Sequence, residues 1–346
     1  MKKLILIIFL MTTICTPVYA QELTAPSVPN DVQDLMPQDT QSFGEGLWYV
    51  ISSGIRAFQP EIASGARICL TVMACVMLTS LLSSFPGMAK NVTELASAIV
   101  VACLLLSSTE TLIQDAAETV TELSEYGKLF IPVMTAAMAA QGGVTASATL
   151  YAGTAMFDAV LCTLISSILV PIIYVFLAMS VANSALSQEV LKKLRDLTKW
   201  GVSWCLKTLL YVFTGYISIT GVVSGAADQT ALKATKLTIS GMVPVVGGIL
   251  SDASEAVLVS AGLVKSAIGV YGLLAVCAIA IGPFLRIGAQ YLLLKLTAAV
   301  CALFGSKRTV ELIQDFSGAM GLLLAMTGAV SLLLLISTVC FLKGMS

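Results

Sequence analysis

The sequence predicts an all-α polytopic membrane protein, with about seven to nine spans or re-entrant segments and further amphipathic helices at the membrane surface. Hydrophobic residues make up 57% of the 346-residue chain, charged residues make up 11%, and the mean hydropathy is +0.93. Soluble domains carry about 25% charged residues, so this chain lacks the polar side chains to cover a water-facing surface. In addition, apolar runs long enough to cross a bilayer recur along its length.

The residue counts exclude several classes of function. The chain has no histidine, which excludes histidine metal sites, Ser-His-Asp triads and histidine proton relays. Its net charge of -1 argues against binding to nucleic acid. Most of its nine cysteines lie in apolar runs, and no pair has C-x-x-C spacing, so they are interpreted as small apolar residues. We expect no enzyme activity, no metal, no cofactor and no nucleic-acid partner.

The chain is predicted to have three regions: a signal peptide at residues 1–20, an exported leader with an amphipathic helix at 21–65, and a polytopic helical domain at 66–346. The first region has two lysines, an apolar run and small residues before its end, which is the pattern of a cleaved signal peptide. An uncleaved first helix is the alternative. In the second region, residues 47–62 place apolar side chains on one helical face, which predicts a helix lying in the membrane interface.

The next segments are predicted to be two spans followed by an acidic helix. The spans cover residues 66–85 and 92–108, and residues 110–127 carry five acids and no base. Their apolar residues share one face, which predicts an amphipathic helix on the exported side. Residues 129–186 are apolar and rich in small residues, a composition that favours close packing of helices. This stretch fits either three short spans or one span with a re-entrant pair.

A basic amphipathic helix at residues 188–207 gives the clearest indication of topology. Its apolar face carries Val190, Leu194, Leu197 and Trp204. Its basic face carries Lys192, Lys193, Arg195 and Lys199. The positive-inside rule places this helix on the cytoplasmic side, in the membrane interface. There it could receive a cytoplasmic partner or bind anionic lipid.

Four more spans are predicted, at residues 203–225, 263–284, 287–304 and 319–342. A short amphipathic piece at 307–315 has balanced charge and does not fix the orientation of the last spans. Lys265 and Arg286 lie near the ends of their predicted spans and are interpreted as orientation anchors.

The stretch GMVPVVGGILSDASEAVL, at residues 241–258, is an apolar segment broken in its middle. Non-helical backbone at membrane depth is tolerated when it is buried in protein or lines an aqueous cavity. One interpretation is therefore a re-entrant hairpin with PVVGG at its tip, and the other is a surface loop with an interfacial helix. The candidate residues for a pore or a subunit contact are Pro244, Gly247, Gly248, Ser251, Asp252 and Glu255.

Two charged residues fall within apolar segments, Asp158 in AGTAMFDAVL and Lys295 in AQYLLLKLTAAV. A charge inside a membrane span is costly unless it faces the bundle interior or finds a partner. One hypothesis is that these two residues form a buried ion pair. The other is that Lys295 extends to a nearby membrane boundary and that Asp158 lies at one.

The order of these segments, together with MVPVVGGILSDASEAVLVSAGLVKSAIGVYGLL, resembles the stage III sporulation protein AE family of endospore-forming bacteria. The strongest similarity lies at residues 243–264, where the family carries P-V-V-G-x-x-x-S-D-A. The resemblance implies a permease-like membrane subunit of a sporulation-specific channel or secretion complex between mother cell and forespore. It also implies a location in the mother-cell membrane around the forespore, with a secretion-type ATPase and ring-forming proteins as partners.

Two other functions are kept as alternatives. A secondary transporter for a small solute would require an essential intramembrane ion pair such as Asp158 with Lys295. A membrane scaffold without a conduit would depend only on its subunit contacts.

Overall fold

The computed structural model describes residues 26–37, 43–85, 90–140, 144–186, 189–219 and 267–344. A short 3₁₀ helix, Asn30–Leu35, precedes the long helices. These are α1 Phe43–Ser83, α2 Lys90–Ala140, α3 Val144–Leu164, α4 Val170–Leu186, α5 Glu189–Ile219, α6 Ala267–Cys301 and α7 Lys307–Gly344. Within these ranges the fold contains no strand, which confirms the all-α prediction.

Five helical segments are long and apolar enough to cross a membrane: Phe43–Ser83, Val92–Ala139, Ser147–Leu186, Ile268–Cys301 and Lys307–Lys343. The described residues therefore do not confirm the predicted count of seven to nine spans. The predicted span at residues 203–225 falls partly on α5, which is not among the five. The predicted hairpin at residues 241–258, its six candidate residues and Lys265 lie outside the described residues, as does the predicted signal peptide.

Several segments predicted as separate are continuous helices, and the span count falls where two of them were predicted spans. The interfacial helix at residues 47–62 and the first span together form α1, and the second span and the acidic helix both belong to α2. The spans predicted at 263–284 and 287–304 are both part of α6. Each of these helices contains a proline, a residue that membrane helices tolerate when neighbouring groups satisfy the freed backbone carbonyl.

The stretch predicted as three short spans, or one span with a re-entrant pair, also differs. Its first part is the end of α2, and Ser147–Leu186 then runs as one helical segment through α3 and α4. A π-helical turn at Ile165–Leu169 joins those two helices. Such a turn widens a helix locally without ending it.

Helix α7 forms the centre of the bundle. The most apolar 18-residue window of its segment is 94% buried, whereas the corresponding window of α1 is 17% buried. It contacts α2, α3, α4, α5 and α6. A helix that is apolar on all sides is expected at such a position, because every face meets another helix.

The helix directions follow from contacts along α7. Arg195 of α5 pairs with Asp315, and a methyl at Gly318 would lie 3.4 Å from Lys199 Nζ, so α5 and α7 run in the same direction. The hydroxyl of Ser317 donates to the carbonyl of Tyr291 in α6, which runs in the opposite direction and joins α7 at residues 302–306.

The starts of α5 and α7 and the end of α6 thus lie together, at what we call the basic end. The end of α1 reaches it too, since Ser80 donates to the Phe304 carbonyl at 2.7 Å. The start of α2 reaches it through Glu94, which lies 4.0 Å from Arg308. The cytoplasmic location that the positive-inside rule predicts for the basic helix would apply to this whole end of the bundle, and it stays a prediction.

At the far end, close helix approach depends on small residues. A Cβ at Gly272 of α6 would collide with the ring of Phe130 in α2, and one at Gly153 of α3 would collide with Tyr216 in α5. The Tyr216 hydroxyl also donates to the carbonyl of Thr149 at 2.8 Å. This packing agrees with the predicted role of small residues in membrane helix contacts.

Candidate functional site

In its first half, helix α5 turns apolar side chains outward and part of its basic face inward, whereas Leu206 and Phe213 in its second half are buried in the bundle. Val190, Leu197 and Trp204 are 65%, 60% and 56% exposed, whereas Arg195 is 6% exposed. A water-facing amphipathic helix would have the opposite orientation, so this arrangement is typical of a helix against lipid. Arg195 is therefore not accessible to a partner, whereas Lys193 is exposed, and binding of a cytoplasmic partner or anionic lipid by this helix stays a prediction.

Arg195 is held by two acids. Its Nη1 donates to Asp315 Oδ2 in α7, and its Nε and Nη2 donate to Asp196 Oδ1 at 3.2 and 3.1 Å. Burial alone would lower the pKa of Arg195, but the two carboxylates more than offset this effect and raise it, so the guanidinium stays charged. One turn away, Lys192 lies 3.6 Å from Glu311. We call these five residues the Arg195 cluster.

A small cavity opens beside this cluster, between α5, α6 and α7. Its volume is about 100 Å³, and it is lined by Lys199, Tyr291, Lys295, Gln314, Ser317, Gly318 and Gly321. Lys295 Nζ lies 4.9 Å from the centre of the Tyr291 ring, a cation–π contact. Among the described residues, neither lysine has a carboxylate partner in ion-pair range. We call this feature the Lys199–Lys295 cavity.

Asp158 does not pair with Lys295. It lies in α3 with 2% of its surface exposed, and Ser124 of α2 donates to its Oδ2 at 2.7 Å. Its other carboxylate oxygen is buried and has no hydrogen-bond partner in the described structure. The hypothesis of a buried Asp158–Lys295 ion pair is therefore wrong, because the two side chains belong to separate polar sites.

A third charged site joins α1, α2 and α6. Arg286 Nη1 donates to Asp115 Oδ2 at 3.0 Å, and its Nε lies 3.2 Å from Glu61 Oε2, an ion pair without hydrogen-bond geometry. Its guanidinium also lies 5.0 Å from the centre of the Phe58 ring. We call these four residues the Arg286 cluster.

Sequence reasoning missed the Arg286 cluster. It treated Arg286 as an anchor near the end of a span, whereas the residue lies in the middle of α6, and that interpretation is wrong. One feature of the sequence could have indicated this cluster. The acidic segment at residues 110–127 contains no basic residue, so a basic partner for its acids has to come from another part of the chain.

The match to a known family decides the identity. The model of the stage III sporulation protein AE family matches residues 31–344, which is most of the chain. The chain belongs to the stage III sporulation protein AE family. A curated family member, stage III sporulation protein AE of Bacillus subtilis (strain 168), is 25% identical over 207 residues, or 60% of this chain. The match spans about half of that relative's length, 52%. No solved structure matches the chain.

Membership of the stage III sporulation protein AE family implies a role in sporulation, and the apolar helices indicate a membrane protein. The described residues contain no group of three or more acids, histidines or cysteines placed to hold a metal ion. What this family member does present is a filled helical bundle, two neutralised charge clusters and one cavity lined by unneutralised lysines.

Proposed function

We propose that the protein is a permease-like subunit of a sporulation-specific channel or secretion complex that connects mother cell and forespore and is needed after engulfment. It acts in the mother-cell membrane around the forespore, without catalysis or a cofactor. Its proposed partners are a secretion-type ATPase on the cytoplasmic side, ring-forming proteins on the other side, and membrane lipid.

The structural observation that supports this proposal is that a helix fills the centre of the bundle in this member of the family. Helix α7 occupies the axis and is enclosed by five other helices. The axis of the described bundle is therefore occupied by a helix, and we infer that a conduit would run between subunits. Helix α1 offers a surface for such contacts, because Leu70, Leu78 and Leu81 are 60%, 61% and 62% exposed.

The secondary-transporter alternative loses its main support, since Asp158 and Lys295 do not pair. A scaffold without a conduit remains a second candidate, because a filled bundle also suits a purely structural subunit.

The first test is deletion of the gene in its host, with starvation to induce sporulation. Forespore volume and a late forespore-specific reporter are followed after engulfment. We expect engulfment to finish, the forespore to shrink and the reporter to stay dark, with recovery on complementation by the wild-type gene. Normal spores in the deletion strain would overturn the proposal.

Two further arms separate the three functions. An Asp158→Asn allele should complement, because a conduit subunit needs no titrating carboxylate, whereas a transporter that depends on Asp158 would fail at normal protein level. A small fluorescent tracer passing from mother cell to forespore should be lost in the deletion strain. Tracer exchange that is unchanged while spores still fail would favour the scaffold.

A further inference from the structure

We propose that the Lys199–Lys295 cavity binds the phosphate group of an anionic phospholipid from the cytoplasmic leaflet. This proposal does not depend on whether the protein belongs to a conduit. It rests on the charge of the cavity, its size and its surroundings.

Lys199 and Lys295 line one cavity, and among the described residues neither has a carboxylate within ion-pair distance, although Asp315 is near enough to Lys199 to act on it electrostatically. The nearest acids on α7 are already engaged, because Asp315 is bound by Arg195 and Glu311 by Lys192. Like charges on two packed helices, α5 and α6, repel one another, and an anion between them relieves the repulsion. The cavity therefore favours an additional negative group, which a phosphate from outside the described chain can supply.

The lining suits a phosphate group. The two ammonium groups and the Gln314 amide can donate hydrogen bonds, whereas the Ser317 hydroxyl already donates to the Tyr291 carbonyl. One wall is made by Gly318 and has no side chain; an added methyl would lie 3.4 Å from Lys199 Nζ and take up space in front of it.

The cavity has room for the headgroup phosphate of a lipid. Its volume of about 100 Å³ compares with roughly 30 Å³ for one water molecule in the liquid. A phosphate fits such a space, and the acyl chains of its lipid would remain outside.

The surroundings are those of the membrane boundary. Beside Lys295 on α6, Leu292 and Leu296 are 65% and 63% exposed, as lipid-facing residues are. Beside Lys199 on α5, Trp200 and Trp204 stack with ring centres 6.1 Å apart and are both exposed. Tryptophan is enriched at the headgroup level, and basic pockets between helices on the cytoplasmic side bind anionic headgroups. These surroundings favour a lipid over a soluble anion.

The test is native mass spectrometry of the full-length protein in neutral detergent, titrated with phosphatidylglycerol and, separately, phosphatidylcholine. We expect wild type to prefer phosphatidylglycerol, and K199Q/K295Q to bind it about 25-fold more weakly, from roughly fivefold per lysine. The matched control is K193Q/K207Q, which removes two exposed lysines from α5 that do not line the cavity. Its binding should stay within about twofold of wild type. An equal loss in both double variants would overturn the proposal, because binding would then follow net charge.

A second variant, Q314E, tests the proposal independently in case K199Q/K295Q does not fold. Q314E places a carboxylate among the lysines from an exposed position, so it should compete with the phosphate and weaken phosphatidylglycerol binding by more than fivefold. Unchanged binding would contradict the proposal.

A final arm identifies the source of the phosphate. Lipid-free protein is heated with inorganic phosphate or with phosphatidylglycerol, since a ligand of the folded state raises the unfolding temperature. We expect a lysine-dependent rise with the lipid alone. A rise with millimolar inorganic phosphate that needs the same lysines would overturn the lipid as the ligand.

Discussion

The Arg195 cluster and the Lys199–Lys295 cavity lie one helical turn apart on the same helices, yet they treat positive charge in opposite ways. In the cluster, Arg195 and Lys192 each meet an acid of α7. In the cavity, two lysines meet an amide, a hydroxyl and glycines. One basic helix therefore provides both a neutralised contact that holds α5 to α7 and an unneutralised site that can receive an anion.

Burial explains why the two sites differ. The Arg195 and Asp315 side chains are 8% and 14% exposed, so each needs its counter-charge inside the protein. Lys199 and Lys295 are exposed and can extend toward the membrane boundary while their ligand is absent. Three substitution experiments test this relation between burial and dependence on a partner.

The largest effect is expected for Arg195→Leu. It removes the main counter-charge of the buried Asp315 and leaves it the weaker interactions with Ser180 and Lys199, and breaking a buried pair costs roughly 3–5 kcal/mol. The measurement is the free energy of unfolding in mixed micelles by denaturant titration. The control is R195L/D315L, which removes both charges and should recover most of the loss. If the single and double variants lose equal stability, pairing is not the cause.

An intermediate effect is expected for Arg286→Leu. This side chain is 27% exposed, and its partners Glu61 and Asp115 are 48% and 20% exposed, so water screens part of the interaction. We expect a loss of about 1–2 kcal/mol in the same titration. Arg56→Leu is the matched control, because among the described residues Arg56 bonds to Ser52 of its own helix and to no other, and its loss should change stability by less than about 0.5 kcal/mol.

The smallest effect is expected for K199Q/K295Q in neutral detergent without anionic lipid. Although it removes two charges where Arg195→Leu removes one, stability should change by less than about 1 kcal/mol, because no ion pair is lost and only the cation–π contact of Lys295 with Tyr291 disappears. A loss of unfolding free energy as large as that of Arg195→Leu would show that the lysines have structural partners. The two sites would then not differ in their dependence on a partner.

The sequence predicted the fold class because composition and long apolar runs report directly on the solvent around a chain. It misjudged helix boundaries because a charge or a proline was taken as the end of a span. Arg286 is the instructive residue: its charge is accepted inside α6 because acids from α1 and α2 meet it. Those partners are 171 and 225 positions away in the chain, and no local pattern reveals them.

The site was predictable only in part. Hydropathy singled out Asp158 and Lys295 as costly charges, and both do lie in apolar helices. Their partners depend on how each helix is rotated in the bundle, which periodicity cannot fix when apolar residues cover most of the surface. The amphipathic pattern of α5 likewise gave two faces correctly but could not show that the apolar face turns outward.

The position of α7 at the centre has a consequence for biosynthesis. Helices α1 to α6 leave the ribosome before α7, so during translation they lack the helix that most of them pack against. Domains generally fold from the amino end as they are made, but this bundle can reach its native packing only after its last described helix is inserted. A nascent chain that stalls before α7 therefore leaves uncovered the faces of α2 and α6 where Gly127 and Gly269 pack against Leu334 and Leu342.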